Sequence, residues 1–309
     1  MTPIVSACVA ATRPQTLRAT LRSLRAQTYA DWELVLVAQG DVDAIHNVAT
    51  EEVDPGRLRF IAMHGRGLSR ARNAGLRAAR GDIIAMTDDD CEADPAWLAE
   101  LAARFSLDPE LGFLGGAVEA PLPLHRSPRN CPRCEPREAA YDPRVPDPSG
   151  VQLIGANFAV RRSTAERVGP FDEVLGAGAH FAAGEDTDYL LRAAACGICM
   201  RTTPRARVRH TFGWRYGVRA VMGHQAALAR GNGALAAKLT LAGDPGGERA
   251  LEDIRRLARR DWLERRRPIA LPAGIRRLRH FVAGYRECLS GYRLDSRNVL
   301  VPSAESSPR

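Results

Sequence analysis

The chain is nearly devoid of lysine. Among its 44 lysine and arginine residues Lys238 is the single lysine, and arginine supplies the rest of a net charge of +8. Aromatic residues make up only 6%. A single-strand nucleic-acid platform interleaves aromatics with cations, and these arginines do not, so no nucleic-acid partner is expected. No stretch reaches the roughly 18 apolar residues that a bilayer span requires. Seven cysteines in 309 residues do not make a disulfide framework, and their odd number favours thiols. The start, Met1-Thr2-Pro3-Ile4-Val5, lacks a charged n-region and a long apolar run. These absences predict an unprocessed, cytoplasmic chain. Arginine concentrates in the C-terminal third, where it flanks apolar stripes carrying Trp262, Phe281 and Tyr285. Solvated helices packed on the rest of the chain or a peripheral hold on the anionic inner face of a membrane both fit that pattern.

Apolar residues at 45% and charged residues at 26% are those of a globular protein, long enough for one large domain or two smaller ones. Short apolar runs at Ile4–Val9, Trp32–Val37, Leu58–Met63, Ile83–Thr87 and Leu111–Val118 predict strands. Between them lie amphipathic stretches: a helix opened by Pro14 with Leu17, Leu21 and Leu24 on one face, another through Ile45 and Val48, a third carrying Ala71, Ala74, Leu76 and Ala79, and a fourth over Trp97–Phe105. This alternation predicts an α/β fold with a mostly parallel sheet flanked by helices. Residues 120–150 break the rhythm and predict a long loop. A helix is expected from about Glu185, two extended pieces at Ile198–Thr203 and Ala206–Val208, and only helix beyond Gly217, interrupted at Gly231-Asn232-Gly233. Pro302–Arg309 is expected to be disordered.

Three consecutive carboxylates, Asp88-Asp89-Asp90, follow the fourth apolar run, where ligands bind on such sheets. Like charges so placed call for a cation, and hard oxygen ligands suit Mn²⁺ or Mg²⁺ holding a phosphate. A second acidic group, Gly184-Glu185-Asp186-Thr187-Asp188, opens the helix near 185. Turn chemistry and helix capping remain the bland alternatives for both.

Six motifs in order carry a resemblance: Asp31-Trp32-Glu33-Leu34-Val35-Leu36-Val37, Gly67-Leu68-Ser69-Arg70-Ala71-Arg72-Asn73-Ala74-Gly75, Asp88-Asp89-Asp90, Gly155-Ala156-Asn157-Phe158, Phe171-Asp172-Glu173 and Gly184-Glu185-Asp186. Over residues 3 to 215 the chain resembles a family 2 glycosyltransferase of the GT-A fold. The resemblance implies a catalytic domain over 1–215, with a nucleotide-binding half (1–118) and an acceptor-binding half (119–215). A basic helical region (216–301) and a tail (302–309) would follow. It implies inverting transfer of a sugar from a nucleotide-diphosphate donor to a hydroxyl on a glycan, lipid-linked or other acceptor, as in cell-surface polysaccharide or glycoconjugate synthesis. Asp88 and Asp90 match the DxD motif, with Asp90, Asp88 and His210 as metal ligands. Asp186 matches the catalytic base, with Glu185 beside it. Thr12, Arg13, Arg70, Asn73, Asp88 and Asp89 fall on the donor side. Where many members carry two carboxylates after the second strand, this chain has Val37-Ala38-Gln39-Gly40-Asp41, leaving Gln39 to contact the base with its amide.

Arg70, Arg72 and Arg77 also suit a solvated helix face. Cys131-Pro132-Arg133-Cys134 reads as loop thiols or a labile disulfide; a zinc site would want four ligands, with Cys196, Cys199 or His125 as the remaining candidates. Two other functions stay in view. A sugar-1-phosphate nucleotidyltransferase shares the metal chemistry, but Ala10-Ala11-Thr12-Arg13-Pro14 is not its Gly-rich loop. A non-catalytic polyanion binder would explain the charge alone.

Overall fold

The computed structural model describes residues 3–122, 129–141, 153–211, 214–264 and 271–303. The chain divides into two compact units. The first takes Met1–Arg66, Arg70–Phe171 and Tyr189–Tyr216, and the second Gly67–Ser69, Asp172–Asp188 and Gly217–Arg309.

The first unit is built on β1 (Val5–Ala11), β2 (Trp32–Gln39), β3 (Leu58–Met63), β4 (Ile83–Asp88), β5 (Cys91–Ala93), β6 (Leu111–Glu119), β7 (Arg129–Asn130), β8 (Ala139–Tyr141), β9 (Asn157–Arg161), β10 (Cys199–His210) and β11 (Arg215–Tyr216). The main sheet runs β3-β2-β1-β4-β9-β6-β10-β5, with β8 on β10. The β1–β4 portion is parallel throughout. Strand β9 is antiparallel to both neighbours, and β5 is antiparallel to β10. The sheet is therefore mixed, mostly parallel on the side that the N-terminal strands form.

Period-two alternation divides the strand side chains between two faces. Val5, Ala7 and Val9 join Leu34 and Leu36 in one core with α1 (Pro14–Arg25), α2 (Val42–Glu52) and α4 (Trp97–Leu107). Cys8, Val35, Ile84 and Met86 face the other core, with α3 (Leu68–Ala78), α5 (Arg162–Val168) and the Tyr189–Ala193 stretch of α6 (Glu185–Ala195). Asn157, from the fourth motif, is a knot in this layer: its amide donates to Ala117 O and Ala206 O at 2.8 Å and accepts the Trp97 indole N–H at 2.9 Å.

The second unit packs α7 (Val218–Leu241) against α8 (Gly246–Glu264) and α9 (Leu271–Gly291), followed by a hairpin of β12 (Tyr292–Leu294) and β13 (Leu300–Pro302). Its core joins Leu175 and Phe181 to Ala234, Ala237, Cys288 and Leu300. Exposed Leu257, Ile275 and Leu289 stand among exposed arginines on α8 and α9. Among the described residues no helix is long and apolar enough to cross a membrane.

The structure corrects several local expectations. Helix α7 runs unbroken through Gly231-Asn232-Gly233, because these glycines serve packing: a Cβ on Gly233 would lie 2.0 Å from Phe281 O, and one on Gly284 2.0 Å from Arg230 O. The region beyond 217 is not all helix. Asp295 accepts the N–H groups of Arg297 and Val299, and Asn298 adopts a positive φ of 56°, which turns the chain into the β12–β13 hairpin. The two extended pieces are one strand, β10, carried past Pro204 by a register shift against β6 between Thr202 and Arg207. Strand β5, three residues at the sheet edge, was too short to give a periodic signal. The expected loop is partly tied down, since Cys134 and Val118 exchange backbone hydrogen bonds of 2.8 and 2.9 Å. Cys131 and Cys134 are buried free thiols. His125, residues 142–152, the Trp262 side chain and the tail 304–309 lie outside what is described.

Candidate active site

Strand β4 delivers the first acidic cluster. Asp88 is its last residue, and Asp89 and Asp90 make the turn into β5. The β5–β10 pairing sets His210 opposite Cys91. The carboxylate of Asp90, the thiol of Cys91 and the imidazole of His210 then lie within 4.8 Å of one another, all buried, the one such group of possible metal ligands among the described residues.

The three aspartates have different partners. Asp89 is tied to the loop after β1: its Oδ2 accepts the N–H of Thr12 at 2.7 Å and of Arg13 at 2.9 Å, and its Oδ1 accepts Arg13 Nε at 3.1 Å. Asp90 pairs with the same guanidinium at 2.9 Å, while its backbone carbonyl accepts Thr211 N–H at 2.7 Å. Asp88 lies 3.5 Å from Arg72. Burial, and then the neighbouring Asp88 charge, push the Asp90 carboxyl up from the ordinary carboxylate range, against the pull of Arg13. Burial works against the Arg13 charge, but the hydrogen bonds and charges of Asp89 and Asp90 outweigh it.

This cluster fits a divalent cation. His210 Nδ1 is buried with no hydrogen-bond partner, an expensive state for a polar atom that ligation would relieve. A carboxylate and a neutral imidazole form a donor set suited to Mn²⁺. Cys91 is the poorest of the three: burial, then Asp88 and Asp90, hold its thiol far above the usual range, in the protonated form that ligates weakly.

The other expected donor-side residues are placed as follows. Gln39 is 2% exposed and directs its Nε2 to Met63 Sδ at 3.1 Å. Arg70 is exposed on α3. Asn73 is buried, and its amide grips the Phe171 backbone at both ends, donating to the carbonyl at 3.0 Å and accepting the N–H at 2.7 Å. Arg72, expected on a solvated face, is instead 4% exposed. It donates to Gly155 O at 2.8 Å and lies over the rings of Phe158 and Phe171. Its link to Asp88 makes it a site residue that sequence reasoning missed. The available signal was its spacing: Ser69, Arg72 and Asn73 fall at i, i+3 and i+4, one helix face, and all three are buried. Gly155 is glycine because any Cβ would meet the Arg72 guanidinium at 2.6 Å.

In the second unit, α6 begins at Glu185 after Gly184, whose φ is +96°. Glu185 is buried at 7%, while Asp186 is half-buried and its Oδ1 accepts the Thr187 N–H at 2.7 Å. Both carboxylates stand in the first helical turn.

The sequence signature of glycosyl transferase family 2 matches residues 4–169. The chain belongs to this family. The glucosyl-dolichyl phosphate glucuronosyltransferase of Haloferax volcanii is 28% identical over 175 residues, 53% of each chain. The putative glycosyltransferase EpsH of Bacillus subtilis is 36% identical over 120 residues, 38% of this chain and 35% of that protein. The chain thus matches about half or less of these relatives' lengths. Among solved structures, the Pyrobaculum calidifontis mannosyltransferase PcManGT, in complex with GDP-Man and Mn²⁺, superposes with a TM-score of 0.58 at 18% identity, covering 94% of this chain and 88% of that one. The fold is of the GT-A type.

Proposed function

We propose that the protein is a metal-dependent, inverting glycosyltransferase that moves a sugar from a nucleotide-diphosphate donor to a hydroxyl of a glycan, lipid-linked or other acceptor, in the synthesis of cell-surface polysaccharide or glycoconjugate. Residues 1–118 serve the donor and 119–215 the acceptor. The observation that carries this is the buried Asp90–His210 pair with its unpartnered Nδ1, in a chain of this family. The GDP-Man and Mn²⁺ bound to PcManGT and the dolichyl phosphate in the Haloferax relative's name support the donor and acceptor classes.

Asp90, His210 and Asp88 would hold Mn²⁺ or Mg²⁺, which when bound neutralises charge on the departing diphosphate. Thr12, Arg13, Gln39, Arg70, Asn73, Asp88 and Asp89 serve the donor side, with Arg72 holding Asp88 in place. Asp186 takes the proton of the acceptor hydroxyl as its oxygen attacks the anomeric carbon. The new carbon–oxygen bond forms as the bond to the diphosphate breaks on the opposite face, so the configuration inverts and no enzyme nucleophile is needed. Glu185 orients the acceptor or the base.

Transfer from a panel of nucleotide sugars with Mn²⁺ tests this. Asp186→Asn should lower kcat by about a hundredfold or more while donor binding persists, and Asp90→Ala should lose metal-dependent donor binding. The product anomer, read by NMR, should be opposite to the donor's. Retained configuration, or full turnover by Asp186→Asn, would sink the proposal.

A further inference from the structure

The chain's single lysine is buried. Lys238 is 3% exposed on α7, and its ammonium lies 2.8 Å from Asp172 Oδ2 and 2.6 Å from Asp188 Oδ1. Asp172, fully buried, also accepts Leu300 N–H at 2.9 Å and Val174 N–H at 3.1 Å. The cation thereby joins α7 to the segment after Phe171 and to the first turn of α6, and Asp172 in turn holds the β12–β13 hairpin. The residue type matters. In a chain that uses arginine everywhere else, a compact ammonium stands where two carboxylates converge on one point, a geometry that a planar guanidinium fork does not match.

Asp188 is two residues from Asp186, which is about 200° around the helix. The burial agrees: Glu185 and Asp188 are buried and Asp186 is half-buried. Holding Asp188 from inside the unit therefore fixes the rotation of this turn and leaves Asp186 presented outward. We propose that Lys238 and Asp188 form a positioning pair for the transfer reaction, setting the direction of the Asp186 carboxylate toward the acceptor hydroxyl. This rests on Asp186 being the base.

Asp188→Asn separates positioning from mere support, because it keeps the side chain's shape and leaves Lys238 paired with Asp172. Wild type, Asp188→Asn, Asp186→Asn and the double variant are compared for kcat, donor KM and acylation of Lys238 by an amine reagent. As the sole lysine, Lys238 reports opening of the unit. Asp188→Asn should lower kcat by about tenfold or more, the cost of a misdirected catalytic group, with donor KM within about twofold and Lys238 as protected as in wild type. In the Asp186→Asn background it should cost nothing further, since the two act through one carboxylate. An unchanged kcat would overturn the inference, as would a loss that multiplies fully with Asp186→Asn, or one matched by a rise in Lys238 labelling. Full turnover by Asp186→Asn would instead remove the base assignment, and this inference with it.

Discussion

Both units bury carboxylates, and each meets them with a different cation. In the first, Asp89 and Asp90 share the Arg13 guanidinium and Asp88 faces Arg72. That cluster stays open, with Arg13 39% exposed and His210 Nδ1 unpartnered. In the second, Asp172 and Asp188 close on one ammonium, and no side chain of the three exceeds 4% exposure. Unused hydrogen-bonding capacity and access to solvent mark a place for a ligand. A closed, buried triad marks a place where the fold is held. The kind of cation follows: arginine forks reach several groups at once, whereas lysine concentrates charge between two.

The comparison is most easily broken at Lys238. Replacing it with Met leaves two carboxylates buried without their cation, which for a broken internal pair costs about 3–5 kcal/mol. A thermal melt should show the second unit losing its cooperative transition. Arg13→Met should cost less, because the Arg13 side chain is itself 39% exposed and Asp89 keeps the backbone N–H groups of Thr12 and Arg13 as partners. Equal losses for the two variants would erase the distinction between open and closed clusters.

How much of this was legible beforehand depended on whether the signal was local. Asp88-Asp89-Asp90 was legible because like charges after an apolar run contradict ordinary strand-end chemistry. Strand Leu58–Met63 was read to the residue, and α1 from Pro14, because period and proline act within a few positions. Arg72 was not, since an arginine reads the same in sequence on a wet helix face as on one that faces Gly155 and two phenylalanine rings. Gly231 and Gly233 were read as a helix break because local propensity says so; only the approach of Ala183 to the first and of Phe281 O to the second, both distant along the chain, explains them. Lys238 was visible as an oddity of composition, but its partners Asp172 and Asp188 belong to other segments. The hairpin at 292–302 was hidden by the helical stripe before it, although Asp295 and Asn298 were usable turn signals.

Arg72→Lys sharpens the difference between the cations. The lysine keeps the charge but loses the fork that reaches both Gly155 O and Asp88, and the flat surface over Phe158 and Phe171. A buried, charge-assisted hydrogen bond is worth about 1.5–3 kcal/mol, and the chemical-denaturation midpoint should fall accordingly. Restoration of wild-type stability by lysine would mean that charge alone matters there.

A carboxylate in the first unit with no role in the site provides the smallest and cleanest comparison. Glu52 is 5% exposed at the end of α2 and accepts from Arg18 at 2.8 Å and Arg22 at 3.0 Å, with Arg25 at 3.3 Å. Hydrogen bonds from Arg22 and then Arg18 hold its carboxyl below the ordinary glutamate value. A depressed carboxyl contributes stability that is fully present above the unfolded-state pKa, near 4.3, and is lost as pH falls through the folded value. Because Arg22 and Arg25 are exposed and Arg18 is partly so, the network is worth about 1 kcal/mol at most. Urea midpoints of Glu52→Gln should therefore trail wild type at neutral pH and converge with it in strong acid, with high salt also narrowing the gap. If the gap persisted in acid, the carboxylate would be acting through shape and packing, and role rather than cation type would no longer separate Glu52 from Asp90.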